Sequence, residues 1–298
     1  MHHRCCDRDL VRRVLRAALT ALALLVGGGM GLALAAVPTD SLPPPRTATP
    51  VPGATLVGRS AGGLPIVAQR FGDGPMPIVL VGGIHGGWEV NTVLLMNEVG
   101  AHFAAHPDDI APNMSLYVIP AANPDGLLHG RSRQGRFNAA GVDLNRNWSC
   151  NWSAAALWGQ REVDPGPVPF SEPETQALRD FILALQPVAV VWYHSAAGGV
   201  FAGQCREADS GSARLARVIG EAAGYPADAP FTAYHVSGTA SDWVDGQGIP
   251  SMEVELGSWR NTEWARNHAG IMALQCHFAR LGAGAALEAF AARACGGG

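Results

Sequence analysis

The chain has 298 residues, 48% of them hydrophobic and 15% charged, with a formal net charge of -4. That composition supplies a core for one large domain or two small ones and does not fit a disordered chain. The acidic balance argues against nucleic acid as a partner, and all 21 basic residues are Arg.

The predicted elements begin with an export signal over 1–35. Arg12, Arg13 and Arg16 precede an apolar run of small residues over 17–34, and Ala33-Leu34-Ala35 fits a small-x-small cleavage site. A membrane anchor is the competing reading; the interruption at Gly27-Gly28-Gly29 favours cleavage. The mature chain then starts near Ala36, with 16 Arg against 23 acidic residues and a net charge of -7. Residues 36–55, rich in Pro and Thr, read as an extended linker. Residues 56–298 read as one folded domain. Cys5 and Cys6 leave with the signal. Cys150, Cys205, Cys276 and Cys295 remain, and in an exported chain they permit two disulfides with three connectivities, or four free thiols. Pairing Cys276 with Cys295 would tie the last helix to the tail; pairing Cys150 with Cys205 would link two loops.

Strands and helices alternate from residue 56 onward. Strands are predicted at 64–69 and 77–84, a helix at 90–105 and a strand at 115–120. Ser171 opens a helix that runs to about 185, with Pro173 near its start and Glu174 placed for a capping box. A strand at 188–193, a helix at 212–223, a strand at 251–256 and a long helix at 262–281 complete the series. Apolar strands alternating with helices indicate an α/β domain whose sheet is covered on both faces.

The strand Pro77-Ile78-Val79-Leu80-Val81 leads into Ile84-His85-Gly86-Gly87-Trp88-Glu89, and the strand at 188–193 leads into His194. Two imidazoles and one carboxylate form the donor set of a catalytic zinc site, which keeps a fourth position open for water. Taken alone, His85 and Glu89 are more commonly a polar pair in a loop. Further motifs accompany them: Asn123-Pro124-Asp125-Gly126, Arg136-Phe137-Asn138, Gly141-Val142-Asp143-Leu144-Asn145-Arg146-Asn147-Trp148, Tyr234-His235-Val236-Ser237-Gly238, Asp242-Trp243 and Glu253-Val254-Glu255-Leu256.

As a set these motifs resemble those of the zinc metallocarboxypeptidases related to carboxypeptidase A, in particular compact secreted bacterial members. The resemblance spans residues 56–281 and makes 56–298 a catalytic domain. It implies a three-layer α/β/α sandwich around a mixed, mainly eight-stranded sheet, and one Zn2+ per chain. His85, Glu89 and His194 match the zinc ligands, with three residues between His85 and Glu89 where the family usually has two. Glu255 matches the general base and acid. Arg136 matches the arginine that stabilises the oxyanion, with Arg131 and Arg133 as competitors. Asn145 and Arg146 match the pair that grips a terminal carboxylate, a task suited to a guanidinium fork. Tyr234 matches the tyrosine that closes over the substrate. Ala196 and Ala197 stand where a tyrosine often follows His-Ser.

Glu253 lies two residues before Glu255, so period-two geometry sends both side chains to one face. By resemblance that face looks into the pocket for the terminal side chain, where a carboxylate favours Lys, Arg or a diaminopimelate amine; pairing with a local Arg is the alternative. Ser241 stands at the family's selectivity position and is small and polar. His235 adjoins Tyr234, whereas His102, His106, His268 and His277 read as surface residues.

The expected function is that of an exported metallocarboxypeptidase. It would act in the periplasm or outside the cell, on peptides with a free C-terminal carboxylate or on peptidoglycan stem peptides. Nucleic acid and stable membrane association after signal removal are not expected, and the chain is expected to be a monomer. Two alternatives remain: a zinc amidohydrolase of the related deacylase branch, acting on small N-acyl amino acids, and, from another class, a non-catalytic peptide-binding module.

Overall fold

The runs Ile78-Val79-Leu80-Val81 and Val190-Val191-Trp192 are apolar at every position because both faces of their sheet are covered. Ile78 and Leu80 face one core with Val191 and Tyr193; Val79 and Val81 face the other with Val190 and Trp192. A computed structural model describes residues 53–205, 210–227 and 231–296. The expected signal and nearly all of the expected linker lie outside the described residues.

The strands are β1 (Ala54–Arg59), β2 (Pro65–Phe71), β3 (Met76–Val81), β4 (Met114–Ile119), β5 (Ala156–Trp158), β6 (Arg161–Val163), β7 (Ala189–Ser195), β8 (Gly199–Ala202) and β9 (Ser251–Leu256). The longer helices are α1 (Val90–Ala105), α2 (Pro173–Leu185), α3 (Ser212–Ala223), α4 (Ala240–Gly246), α5 (Trp264–Ala279) and α6 (Ala285–Ala294). Among the described residues the main sheet has seven strands, ordered β1-β2-β4-β3-β7-β9-β8, against the eight that the resemblance implies. The central strands β4, β3, β7 and β9 run parallel, and both edges are antiparallel. β5 and β6 form a separate hairpin.

The three layers follow from side-chain alternation. Helices α1, α3, α5 and α6 supply Leu95, Met96, Leu215, Ile219, Ile271 and Phe290 to one core. Helices α2 and α4 supply Leu178, Ile182, Trp243 and Val244 to the other. Burying one such side chain contributes about 1.5–3 kcal/mol, so the sheet position is set by many independent contacts. None of the described helices is long and apolar enough to cross a membrane.

Two details correct or complete the sequence reading. The capping box at α2 does not form: Glu172 is the N-cap residue without a side-chain cap, and the Glu174 carboxylate instead accepts from the Ala61 N–H at 2.9 Å. The cysteines pair as Cys150–Cys205 and Cys276–Cys295, two of the pairs that spacing had left open.

Candidate metal and active site

The sheet order places the site. After β3 the chain adds β4 on one side, and only later β7 on the other, so the order reverses between β3 and β7. In an open α/β sheet ligands bind in the crevice beyond the strand ends at such a point. The loop after β3 carries His85, and the end of β7 carries His194. On the next parallel strand Glu255 is the Cα register partner of His194.

The extra residue between His85 and Glu89 is absorbed by a tight 3-10 turn, Gly86–Glu89. Gly86 has φ +46, and a Cβ there would lie 2.6 Å from the Gly135 carbonyl oxygen; at Gly87 it would lie 2.5 Å from that of Gly130. Only glycine lets this loop press so closely against the 126–135 loop. Glu89 therefore reaches the centre: its Oε2 lies 3.3 Å from His194 Nδ1 and accepts from the Ser195 N–H at 3.1 Å.

One ligand atom from each of His85, Glu89 and His194 lies within 4.8 Å of the others, and all three residues are buried. His85 Nδ1 and His194 Nε2 are buried without a hydrogen-bond partner among the described residues. Orphaned ring nitrogens beside a buried carboxylate are costly unless a cation satisfies them. The carboxylates of Glu89, Glu253 and Glu255 line the cleft with the guanidiniums of Arg136 and Arg146, and the Asp143 carboxylate accepts from Arg136 beside them. A divalent cation balances that formal excess of two negative charges. The donor set and the charge both fit zinc.

The pKa values follow from this crowding. Burial holds the His85 imidazole well below its ordinary value, and Arg136 adds to the effect. At His194 burial acts the same way, but Glu89, Glu253 and Glu255 outweigh it and push the imidazole up to about 9. Burial pushes Glu255 up to about 7, opposed by His194 and reinforced by Glu89 and Glu253. Burial also raises the Tyr234 phenol.

Arg136 ends the 3-10 turn Arg133–Arg136 and is buried. Its Nε donates to Asp143 Oδ2 at 2.8 Å, its Nη1 lies 3.8 Å from Glu89, and the guanidinium sits 4.6 Å from the Trp158 ring centre. Arg131 and Arg133 are exposed, and Arg131 donates to the Trp259 carbonyl. Arg146 is buried, with Nε bonded to the Leu157 carbonyl at 2.9 Å and Nη1 to that of Asn145 at 2.6 Å. Asn145 accepts from the Ala240 N–H at 2.9 Å and donates to Glu253 at 3.3 Å.

Nine of the expected site residues line one cleft: His85, Glu89, Arg136, Asn145, Arg146, His194, Tyr234, Glu253 and Glu255. Ser241 lines an adjoining cavity of about 240 Å³, which also takes in Glu253, Tyr234, His235, Gln204 and Asp242. Glu253 is held there by the Ser241 hydroxyl at 2.8 Å rather than by an Arg. Burial pushes Asp242 up to about 6 despite the Gln204 N–H donated to it. The Ala197 N–H donates to Glu255 at 3.0 Å, so the backbone after His194 orients that carboxylate.

Asp143 was missing from the predicted site. Fully buried, it joins Arg136 to His85, whose Nδ1 is 3.6 Å from Asp143 Oδ1, and it accepts from the Asn145 N–H at 3.1 Å. The sequence signal was its place in Gly141-Val142-Asp143, two residues before Asn145. Trp158, from the β5–β6 hairpin, carried no such signal.

A family model described as zinc carboxypeptidase matches residues 45–265. Carboxypeptidase B of Astacus astacus is 34% identical over 146 residues, 43% of this chain and 48% of that protein. Murein peptide amidase A of Escherichia coli is 40% identical over 88 residues, 26% of this chain and 35% of that protein. The matches thus span less than half the length of either curated relative. The carboxypeptidase A structure from Helicoverpa armigera superposes with a TM-score of 0.58 at 22% identity, covering 74% of this chain and 67% of that one, which shows the shared fold.

Proposed function

The chain belongs to the zinc carboxypeptidase family, and we propose that it is an exported exopeptidase that hydrolyses the last peptide bond of chains with a free C-terminal carboxylate. One observation carries this reading: the buried Arg146 guanidinium lines the same cleft as His85, Glu89 and His194. A terminal carboxylate seated on Arg146 and Asn145 lays the preceding amide beside the metal position.

His85, Glu89 and His194 would hold the zinc. When bound, it lowers the pKa of water towards 7 and polarises a carbonyl. Glu255 accepts the proton of the attacking water and delivers it to the leaving amine. Arg136 is fixed by Asp143 and Trp158 and meets the developing oxyanion with a cation already in place. Tyr234 covers the substrate from the loop between α3 and α4, its ring packed edge-on against Phe231. The catalytic domain is 56–298, preceded by a cleaved signal and a linker, and the protein works as a monomer outside the cytoplasm.

Glu253 and Asp242 give the adjoining cavity two acidic groups. A terminal Lys, Arg or diaminopimelate brings the amine or guanidinium that compensates them. The similarity to a murein peptide amidase favours stem peptides as a substrate class beside ordinary peptides.

Hydrolysis of an N-blocked dipeptide, compared with the same dipeptide carrying a C-terminal amide, tests the proposal. Zinc-dependent cleavage of the free acid alone is expected. Equal cleavage of both would sink the exopeptidase reading, and a zinc-loaded chain that cleaves neither would point to a binding module.

A further inference from the structure

His102, Asp109 and His268 lie outside the cleft, and the sequence reads the two histidines as surface residues. They form a second convergent donor group, one ligand atom of each within 4.8 Å of the others. His102 lies near the end of α1, Asp109 in the 3-10 turn Pro107–Asp109 that follows, and His268 on α5. All three are half-buried.

The geometry around His102 Nε2 is over-subscribed. This nitrogen is 2.9 Å from Asp109 Oδ2 and 3.1 Å from His268 Nε2. A neutral imidazole nitrogen carries either one proton or one lone pair. If His102 donates to Asp109, its single proton must be split with the lone pair of His268, which leaves each acceptor half of a bifurcated bond. If it accepts from His268, two lone pairs face each other across the Asp109 contact. A cation among the three atoms removes the conflict. Zinc bonds of about 2.0–2.2 Å space tetrahedral ligand atoms about 3.3–3.5 Å apart, a few tenths of an ångström beyond the observed separations. The rings are already braced: Trp264 stacks on His268 at 5.0 Å, and His106 stacks on His102 at 4.5 Å.

We propose that His102, Asp109 and His268 bind a second zinc-type divalent cation that ties the end of α1 to α5. Two imidazoles and a carboxylate select zinc and its transition-metal neighbours over calcium or magnesium, which prefer all-oxygen shells. Three protein donors leave one position to solvent. At 1.5 Å per residue the site lies about 20 Å along α1 from Glu89, so its role is to hold the two helices together rather than to act on substrate.

The test strips the full chain with a chelator, titrates it with Zn2+ alone and counts bound metal after gel filtration, for wild type, His268→Gln and Asp109→Asn. Both variants should hold one ion fewer per chain than wild type, with affinity for that ion weakened by more than about tenfold. They should also lose the Tm gain that the extra ion gives wild type, and keep peptide hydrolysis. Asp109→Asn is close to isosteric and only partly buried, so it separates lost metal from misfolding. Equal metal counts and equal Tm gains in wild type and the variants would overturn the proposal.

Discussion

His194 and Glu255 occupy one rung of the sheet, as Cα partners in the parallel pairing of β7 and β9. The proposed metal ligand and the proposed proton carrier are therefore held by backbone hydrogen bonds rather than by a loop. Glu255→Gln keeps that rung and removes only the proton acceptor. A fall in kcat/KM of about 10²–10⁴ is expected with zinc content unchanged. Full activity in this variant would show that another group moves the proton.

The Glu255 carboxyl, at about 7 without metal, must ionise before it can accept a proton, so kcat/KM should rise with pH through its pKa. Glu253 is one of the like charges that raise it. Glu253→Gln removes that charge, lets Glu255 ionise at lower pH and should move the acidic limb of the profile downward. The profile should be recorded with a peptide whose terminal residue is uncharged; an upward shift would contradict the argument.

A panel of blocked dipeptides ending in Lys, Arg, Phe and Leu reads the adjoining cavity. Basic termini should be preferred, and Glu253→Gln should reduce that preference about tenfold, roughly 1.4 kcal/mol. Clear preference for Phe or Leu in wild type would mean that Glu253 and Asp242 do not face the terminal side chain.

Gly86→Ala tests the tight turn. The left-handed backbone costs an L-residue about 1–2 kcal/mol, and the new Cβ would lie 2.6 Å from the Gly135 oxygen. The turn must shift and carry Glu89 with it. Zinc affinity and kcat/KM should fall together, with Tm only modestly lower.

The Cys150–Cys205 bond closes 55 residues, for which loop entropy predicts about 4 kcal/mol of stabilisation. Cys150 lies just beyond the Asn145-Arg146 loop, and Cys205 follows Gln204 in the adjoining cavity. The double Cys→Ser variant should lose about 10 °C in Tm and raise KM more than it lowers kcat. A Tm that matches oxidised wild type would show that the bond is not formed in solution.

The bounds of α1, α3 and β9 match the sequence reading, because each repeats its apolar pattern through its whole length. β1 and β8 escaped it as edge strands with weaker patterns, and α4, only seven residues long, is hidden inside a motif read for chemistry. At α2 a local rule lost to a distant demand: Glu174 turned from its own helix end to satisfy Ala61 and Asn138. The cleft residues were legible because each lies in a motif of distinct chemistry. The Asp143 contacts and the meeting of His102 with His268 were not, since each joins segments whose proximity only the fold creates.

The parallel sheet also works as a ruler. Adjacent strands repeat at about 4.8 Å whatever their side chains are, so the gap between the His194 and Glu255 backbones is a constant of the lattice. Gln204, Ser241 and Tyr234, which line the adjoining cavity, stand on loops or on a short helix instead. Grafting new loops at those positions should change which peptide is chosen while the spacing of His194 and Glu255 stays calibrated.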